Sequence, residues 1–163
     1  MQAEPLPSYR SRVLPEWIDY NGHMNLAYYL VVFDKATDAL FDRLGIGLDY
    51  VRATEHSLFA LEAHVTYARE LKEGDPISIA SRLVDADEKR LHFFHEMQHA
   101  DEGYLAATIE FLAIHVAMGT RRAVPFPDEA SARIGAMLAE HRRLPQPPQL
   151  GRSIGLRNKR ANK

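Results

Sequence analysis

Seven consecutive residues, Asp19-Tyr20-Asn21-Gly22-His23-Met24-Asn25, bring a carboxylate, a glycine, an imidazole and a helix-capping amide together just ahead of a long apolar segment. The first turn of a helix leaves backbone N–H groups without intrahelical acceptors, and these carry the positive end of the helix dipole. Such an end can hold a developing oxyanion. Asp19 lies close enough in sequence for a general base or nucleophile and an oxyanion-stabilising amide to come from one short stretch. The same residues also have structural uses. Asp19 suits a turn, Asn25 an N-cap, and Gly22 a backbone shape that a side chain would block. His23 is open between polarising a substrate carbonyl, holding Asp19 and a purely structural place.

The segment that must position this group runs from Asn25 to Leu44. Its residues Leu26, Tyr29, Leu30, Phe33, Ala36, Leu40, Phe41 and Leu44 recur at steps of three and four, with Val31 and Val32 widening the face. Asp34, Lys35, Asp38 and Asp42 leave one narrow side for water, so most of this helix is expected to be buried. Gly45 ends it. Upstream, Tyr9 to Ile18 reads as a strand that is bulged or at an edge, because Pro15 interrupts it. Downstream, Ile46 to Thr54 reads as a short connection. Period-two patterns then give four strands: Ser57 to Ala68, Ile77 to Val84, Leu91 to His99 and Tyr104 to Val116. Pro125-Phe126-Pro127 breaks the sheet, and Asp128 is placed to cap a final helix through Arg143, with Ile134, Met137 and Leu138 on one side.

The order is strand, long helix, four antiparallel strands and an accessory helix, an α+β arrangement in which one five-stranded sheet wraps one central helix. One helix cannot cover such a sheet, so a second copy is expected to bury the remainder. The 163 residues suit a single domain over 1–145, followed by a Pro-rich linker and basic, flexible tail over 146–163. With 20 Lys plus Arg against 22 Asp plus Glu, the net charge of −2 gives no global drive toward nucleic acid or an anionic membrane. The absence of cysteine excludes a disulfide framework, a thiolate metal site and a cysteine nucleophile. Met1 to Arg10 lacks the apolar core of a signal peptide, and no stretch approaches the roughly 18 apolar residues of a membrane span. A cytoplasmic protein is expected. Eight histidines raise the possibility of a metal, but His92 and His95 point to opposite faces of one strand, and Asp19 and His23 have no third ligand nearby in sequence. No metal site is expected.

From about residue 8 to 118 the chain resembles a hot-dog-fold acyl-CoA thioesterase of the 4-hydroxybenzoyl-CoA thioesterase superfamily. The resemblance rests on Asp19-x-x-Gly22-His23-x-Asn25-x-x-x-Tyr29 opening the central helix, and on Thr66-Tyr67-Ala68-Arg69-Glu70-Leu71 with Gly74-Asp75 before the next strand. More narrowly, Asp19 to Asn25 with Asp85-Ala86-Asp87-Glu88-Lys89-Arg90-Leu91-His92 resembles the thioesterases of L-carnitine breakdown, which act on betainyl-CoA. The resemblance implies a hot-dog fold, hydrolysis of an acyl-CoA, a homodimer or tetramer, and no cofactor beyond the coenzyme A of the substrate itself. It makes Asp19 the general base or nucleophile and the Leu26 amide the oxyanion donor, with His23 and Asn25 beside them. Hot-dog hydratases that look similar space their aspartate and histidine more widely. A non-catalytic acyl-CoA-binding module is the other alternative.

Recognition of a quaternary ammonium requires aromatic faces. Trp17, Tyr20, Tyr28, Tyr29, Phe33 and Tyr67 are candidates for the acyl pocket, and Glu62 and Glu110 are carboxylates in otherwise apolar strands that need partners. Coenzyme A phosphates call for basic groups at the entrance. Arg69, Lys89, Arg90, Arg121 and Arg122 fit that role, with the tail residues Arg152, Arg157, Lys159, Arg160 and Lys163 either solubilising or a mobile phosphate contact.

Overall fold

A computed structural model, which describes residues 7–156, begins the central helix where the capping asparagine puts it. Helix α1 spans Leu26–Leu44, with Asn25 as N-cap accepting from the Ala27 N–H and Gly45 closing it in the left-handed conformation at φ 72°. Seven of its side chains are buried: Tyr29, Val32, Phe33, Ala36, Thr37, Leu40 and Leu44. The helix lies against a curled antiparallel sheet formed by β1 (Pro7–Arg12), β2 (His56–Tyr67), β3 (Pro76–Ala86), β4 (Arg90–His99) and β5 (Leu105–Ala117). The strand order is β1-β3-β4-β5-β2, and a two-residue strand β6 (Arg122–Ala123) pairs with β5. Alternation along β4 and β5 puts Leu91, Phe93, Met97, Ile109, Phe111 and Ala113 under the helix. His92 and Glu110 therefore face the other side. This is the hot-dog architecture expected, with a C-terminal helix α3 (Asp128–His141) added.

Four local expectations change. The segment Tyr9 to Ile18 is not one strand: β1 ends at Arg12 and Pro15–Trp17 forms a turn of 3-10 helix. Pro15 has no N–H for a ladder and its fixed φ favours the first position of a helical turn. The connection after Gly45 contains a seven-residue helix α2 (Leu48–Thr54), too short for its periodicity to register. Asp128 does not cap α3. Pro127 occupies that position, and Asp128 and Glu129 sit in the first turn, where the helix dipole favours their charge. Finally, α1 is less covered than its pattern suggests, since Leu26, Leu30 and Val31 are 64, 45 and 44% exposed in the single chain.

Beneath α1 a polar thread crosses the core. The Thr37 hydroxyl donates to the Phe33 carbonyl at 2.9 Å and lies 2.9 Å from His95 Nε2. With its proton committed to Phe33, Thr37 must accept from Nε2–H, so His95 Nδ1 accepts from the Ser81 hydroxyl at 2.7 Å. The thread ties α1 to β4 and β3. Each satisfied bond contributes about 1 kcal/mol, less than the 1.5–3 kcal/mol or so from burying each of Phe33, Leu40 and Leu44 beside it. Its effect is to fix the helix's rotation. No described helix is long and apolar enough to cross a membrane.

Residues 145–152 return to the sheet and do not behave as a linker. Arg82 Nη1 donates to the Pro145 carbonyl at 2.6 Å and the Gly151 N–H donates to Glu110 Oε2 at 2.8 Å. Arg157, Lys159, Arg160 and Lys163 lie outside the described residues.

Burial lowers the His95 pKa from 6.5 to about 3. Between these values the unfolded chain binds a proton that the folded chain refuses, so stability is complete above pH 6.5 and is lost as the pH falls toward 3. Urea denaturation at intervals from pH 7 to pH 4 is expected to show a loss of up to about 1.4 kcal/mol per pH unit from this residue, and His95→Gln to flatten that slope.

Candidate active site

The loop before α1 is held from every side by its backbone. Asp19 N–H donates to the His23 carbonyl at 3.1 Å and Gly22 N–H to the Asp19 carbonyl at 3.0 Å, closing a tight turn that needs Gly22 at φ 80°. Asn25 N–H donates to the Trp17 carbonyl at 2.8 Å, and Met24 N–H to the Leu71 carbonyl at 2.8 Å. The 3-10 turn and the segment after β2 thus clamp the loop between them.

Within it, both oxygens of Asp19 are engaged. Oδ1 accepts the Asn21 N–H at 2.8 Å and Oδ2 accepts from Asn25 Nδ2 at 3.1 Å. The other end of the same amide, Asn25 Oδ1, accepts the Ala27 N–H at 3.0 Å. Tyr28 N–H donates to the Asn25 carbonyl at 3.0 Å. Leu26 then supplies the first helical N–H, which has no intrahelical acceptor. A carboxylate with lone pairs to spare, held by the Asn25 side chain from six residues upstream, and an amide at the helix's positive end one residue downstream are therefore both fixed by that cap. That pairing can activate water, or attack directly, while stabilising negative charge on a carbonyl oxygen.

A cavity of about 270 Å³ opens at Leu26 and is bounded by His23, Tyr29, Tyr67, Arg69 and Glu70 among others. Tyr29 and Tyr67 meet edge to face with ring centroids 5.3 Å apart. Tyr67 OH donates to the Leu26 carbonyl at 3.2 Å, and Tyr29 OH accepts the Leu71 N–H at 3.2 Å. Burial raises the pKa of both phenols, which keeps them neutral. His23 Nε2 faces Glu70 Oε1 at 3.6 Å. Its imidazole is directed to that carboxylate, and its backbone carbonyl is what meets Asp19.

A profile of the Thioesterase-like superfamily matches residues 13–134. The chain belongs to this superfamily. It is 42% identical over 154 residues to a betainyl-CoA thioesterase of Pseudomonas aeruginosa, spanning 94% of this chain and 97% of that one. It is also 35% identical to part of the Rhizobium meliloti L-carnitine dehydrogenase/betainyl-CoA thioesterase, spanning 93% of this chain and 30% of the fused protein. A Staphylococcus aureus structure solved in complex with CoA superposes with a TM-score of 0.86 at 32% identity, covering 91% of this chain and 94% of that one. Thioester hydrolysis is thus the chemistry of this thioesterase-like chain.

Within the thioesterase domain the structure gathers Asp19, His23, Asn25, Leu26, Tyr29, Tyr67 and Arg69 at one end of α1. Trp17 joins them through its carbonyl, while its indole stacks on Tyr28 at 5.6 Å. Other candidates go elsewhere. Tyr20 is 97% exposed, and Phe33 is fully buried against His95 at 6.1 Å. Glu62 and Glu110 lie on the sheet face away from α1, where they line a separate cavity of about 310 Å³ with His64 and His92. Glu110 finds its partner there, 2.8 Å from His92 Nε2. Lys89 and Arg90 sit at the turn after β3, and Arg121 and Arg122 at β6. That turn is roughly 33 Å along β3 from the loop's end, at 3.3 Å per residue. Among the described residues, no group of three or more His, Cys, Asp or Glu is arranged to hold a metal. Glu70 was not among the sequence candidates, because a glutamate after a strand reads as a solvated charge.

The double use of Asn25 can be separated by substitution. Asn25→Ser retains an oxygen to cap the helix but loses the donor to Asp19. It is expected to keep urea stability within about 0.5 kcal/mol and lower kcat about tenfold or more, whereas Asn25→Ala should also lose about 1 kcal/mol of stability.

Proposed function

We propose that this chain hydrolyses betainyl-CoA to betaine and free coenzyme A. The observation that carries the chemistry is Asp19 held by Asn25 next to the Leu26 amide. The acyl group is taken from the relationship to the Pseudomonas aeruginosa betainyl-CoA thioesterase along nearly its whole length.

The thioester carbonyl oxygen sits at the Leu26 N–H. Asp19 either removes a proton from water as it adds to the carbonyl carbon or attacks that carbon itself, and the oxygen becomes an oxyanion at the helix end. Collapse breaks the carbon–sulfur bond, giving the free acid directly in the first case and, in the second, an Asp19 acyl anhydride that water then hydrolyses to release the acid and restore the carboxylate. Coenzyme A leaves as a thiolate, which needs no strong acid to accompany it. Tyr67 and Tyr29 line the acyl side, and Arg69 stands at the mouth for a phosphate.

The functional unit is a homodimer. Among the described residues β2 is a sheet edge whose 12-residue backbone pairs with β5 alone, and Phe59 and Leu61 on it are 44 and 54% exposed. Together with Leu26, Leu30 and Val31 of α1, this makes an edge and an apolar stripe that a second copy would cover. Antiparallel pairing of two β2 edges would bring the Lys89, Arg90, Arg121 and Arg122 end of each chain alongside its partner's Asp19 end. The four basic residues would then serve the coenzyme of the other active site.

Free-thiol release from betainyl-CoA is the direct test, and Asp19→Asn is expected to lower kcat by about 100-fold to 10,000-fold. Absence of thiol release by the unaltered protein, or undiminished release by the variant, would sink the mechanism. Light scattering is expected to return at least twice the 18.5 kDa chain mass.

A further inference from the structure

The segment after β2 is fixed more firmly than its exposed position requires. Ala68 and Arg69 N–H groups both donate to the Ala106 carbonyl, at 2.9 and 3.1 Å, which ends the strand in a sharp turn. Leu71 is fully buried and bonded on both sides, its carbonyl to Met24 N–H and its N–H to Tyr29 OH. The Glu70 carbonyl accepts from Tyr104 OH at 3.1 Å. Glu70 therefore has a fixed backbone, and its side chain enters the cavity at Leu26.

Among the described residues lining that cavity, Glu70 is the one acidic residue. Arg69 does not neutralise it, because the Arg69 guanidinium lies 3.8 Å over the Tyr104 ring and 4.0 Å from Glu102. The group facing Glu70 is His23, at a distance of 3.6 Å, longer than a hydrogen bond. A carboxylate without a close partner among the described residues, two neutral phenol rings and an oxyanion-stabilising amide thus share one space. Negative charge here is counterproductive for a neutral acyl group, since it opposes the oxyanion forming at Leu26. It becomes favourable when the acyl group carries its own cation. A quaternary ammonium has no N–H to donate and is held by carboxylate charge and aromatic faces. In a betainyl ester that nitrogen is two bonds from the thioester carbon, so a carbonyl at Leu26 leaves the cation in the same cavity.

We propose that Glu70 determines acyl specificity, its carboxylate and the Tyr67 ring holding a quaternary ammonium beside the thioester in place of His23. The proposal rests on the betainyl-CoA reading and adds a reason for it: the site favours a cation and disfavours its neutral isostere.

The test compares betainyl-CoA with 3,3-dimethylbutyryl-CoA, in which carbon replaces the quaternary nitrogen at constant shape. Glu70→Gln is expected to lower kcat/KM for betainyl-CoA by about tenfold to a hundredfold, chiefly through KM, and to leave the neutral ester unchanged or improved. The neutral ester also reports whether the variant is folded. Equal loss on both esters, or no loss on betainyl-CoA, overturns the role of Glu70 while leaving the betainyl-CoA reading intact. Hydrolysis of the neutral ester but not of betainyl-CoA by the unaltered protein overturns that reading and the proposal with it.

Discussion

A single side-chain amide, that of Asn25, joins the start of the central helix to the carboxylate beside it. Its oxygen caps α1 through the Ala27 N–H and its nitrogen holds Asp19. An N-cap is normally a local matter worth about 1 kcal/mol. Here the same bond geometry that starts the helix also aims the carboxylate, so the position of the group proposed to react is set by the axis of α1. Everything that fixes that axis therefore bears on the chemistry: the clamp from Trp17 and Leu71, the Tyr67 bond to the Leu26 carbonyl, and the core packing below.

That core is chiefly apolar, but the His95 thread gives it direction. Leu, Phe and Met side chains would tolerate small rotations of α1 about its axis, because apolar contacts are not directional. Thr37, His95 and Ser81 do not, since a turned helix would strand a buried imidazole nitrogen without a partner. The helix is held in rotation by hydrogen bonds and in place by burial. On its uncovered side, Leu26, Leu30 and Val31 stay exposed in the single chain.

The two sheet faces divide their charges differently. On the face away from α1, Glu110 is answered by His92 and the Gly151 N–H. On the α1 side, Glu70 stands at the Leu26 cavity with only a loose approach to His23. A stabilised carboxylate belongs to the architecture, whereas the loosely partnered one at the Leu26 cavity is the one proposed to select what enters.

The sequence alone determined the parts whose cause is local. The steps of three and four in α1, its Asn25 cap and Gly45 stop, and the four later strands follow from short-range periodicity and capping, and the structure reproduces them. So does the opposition of His92 and His95, because strand alternation is a property of neighbouring residues. The Asp19 loop could be singled out because its carboxylate and its helix adjoin in sequence. Shorter features were lost. The 3-10 turn at Pro15–Trp17 and the seven-residue α2 span too few residues to show a period, and the return of residues 145–152 to the sheet depends on Arg82 and Glu110, distant in sequence. Only the tertiary structure decided which face of the sheet Glu62 occupies and that Lys89 and Arg90 lie at the far end from Asp19. It alone brought Glu70 opposite His23 across a separation of 47 residues. Such neighbours are made by the register of β2 on β5 and the bond from Met24 to Leu71, interactions that leave no mark on the sequence around either partner.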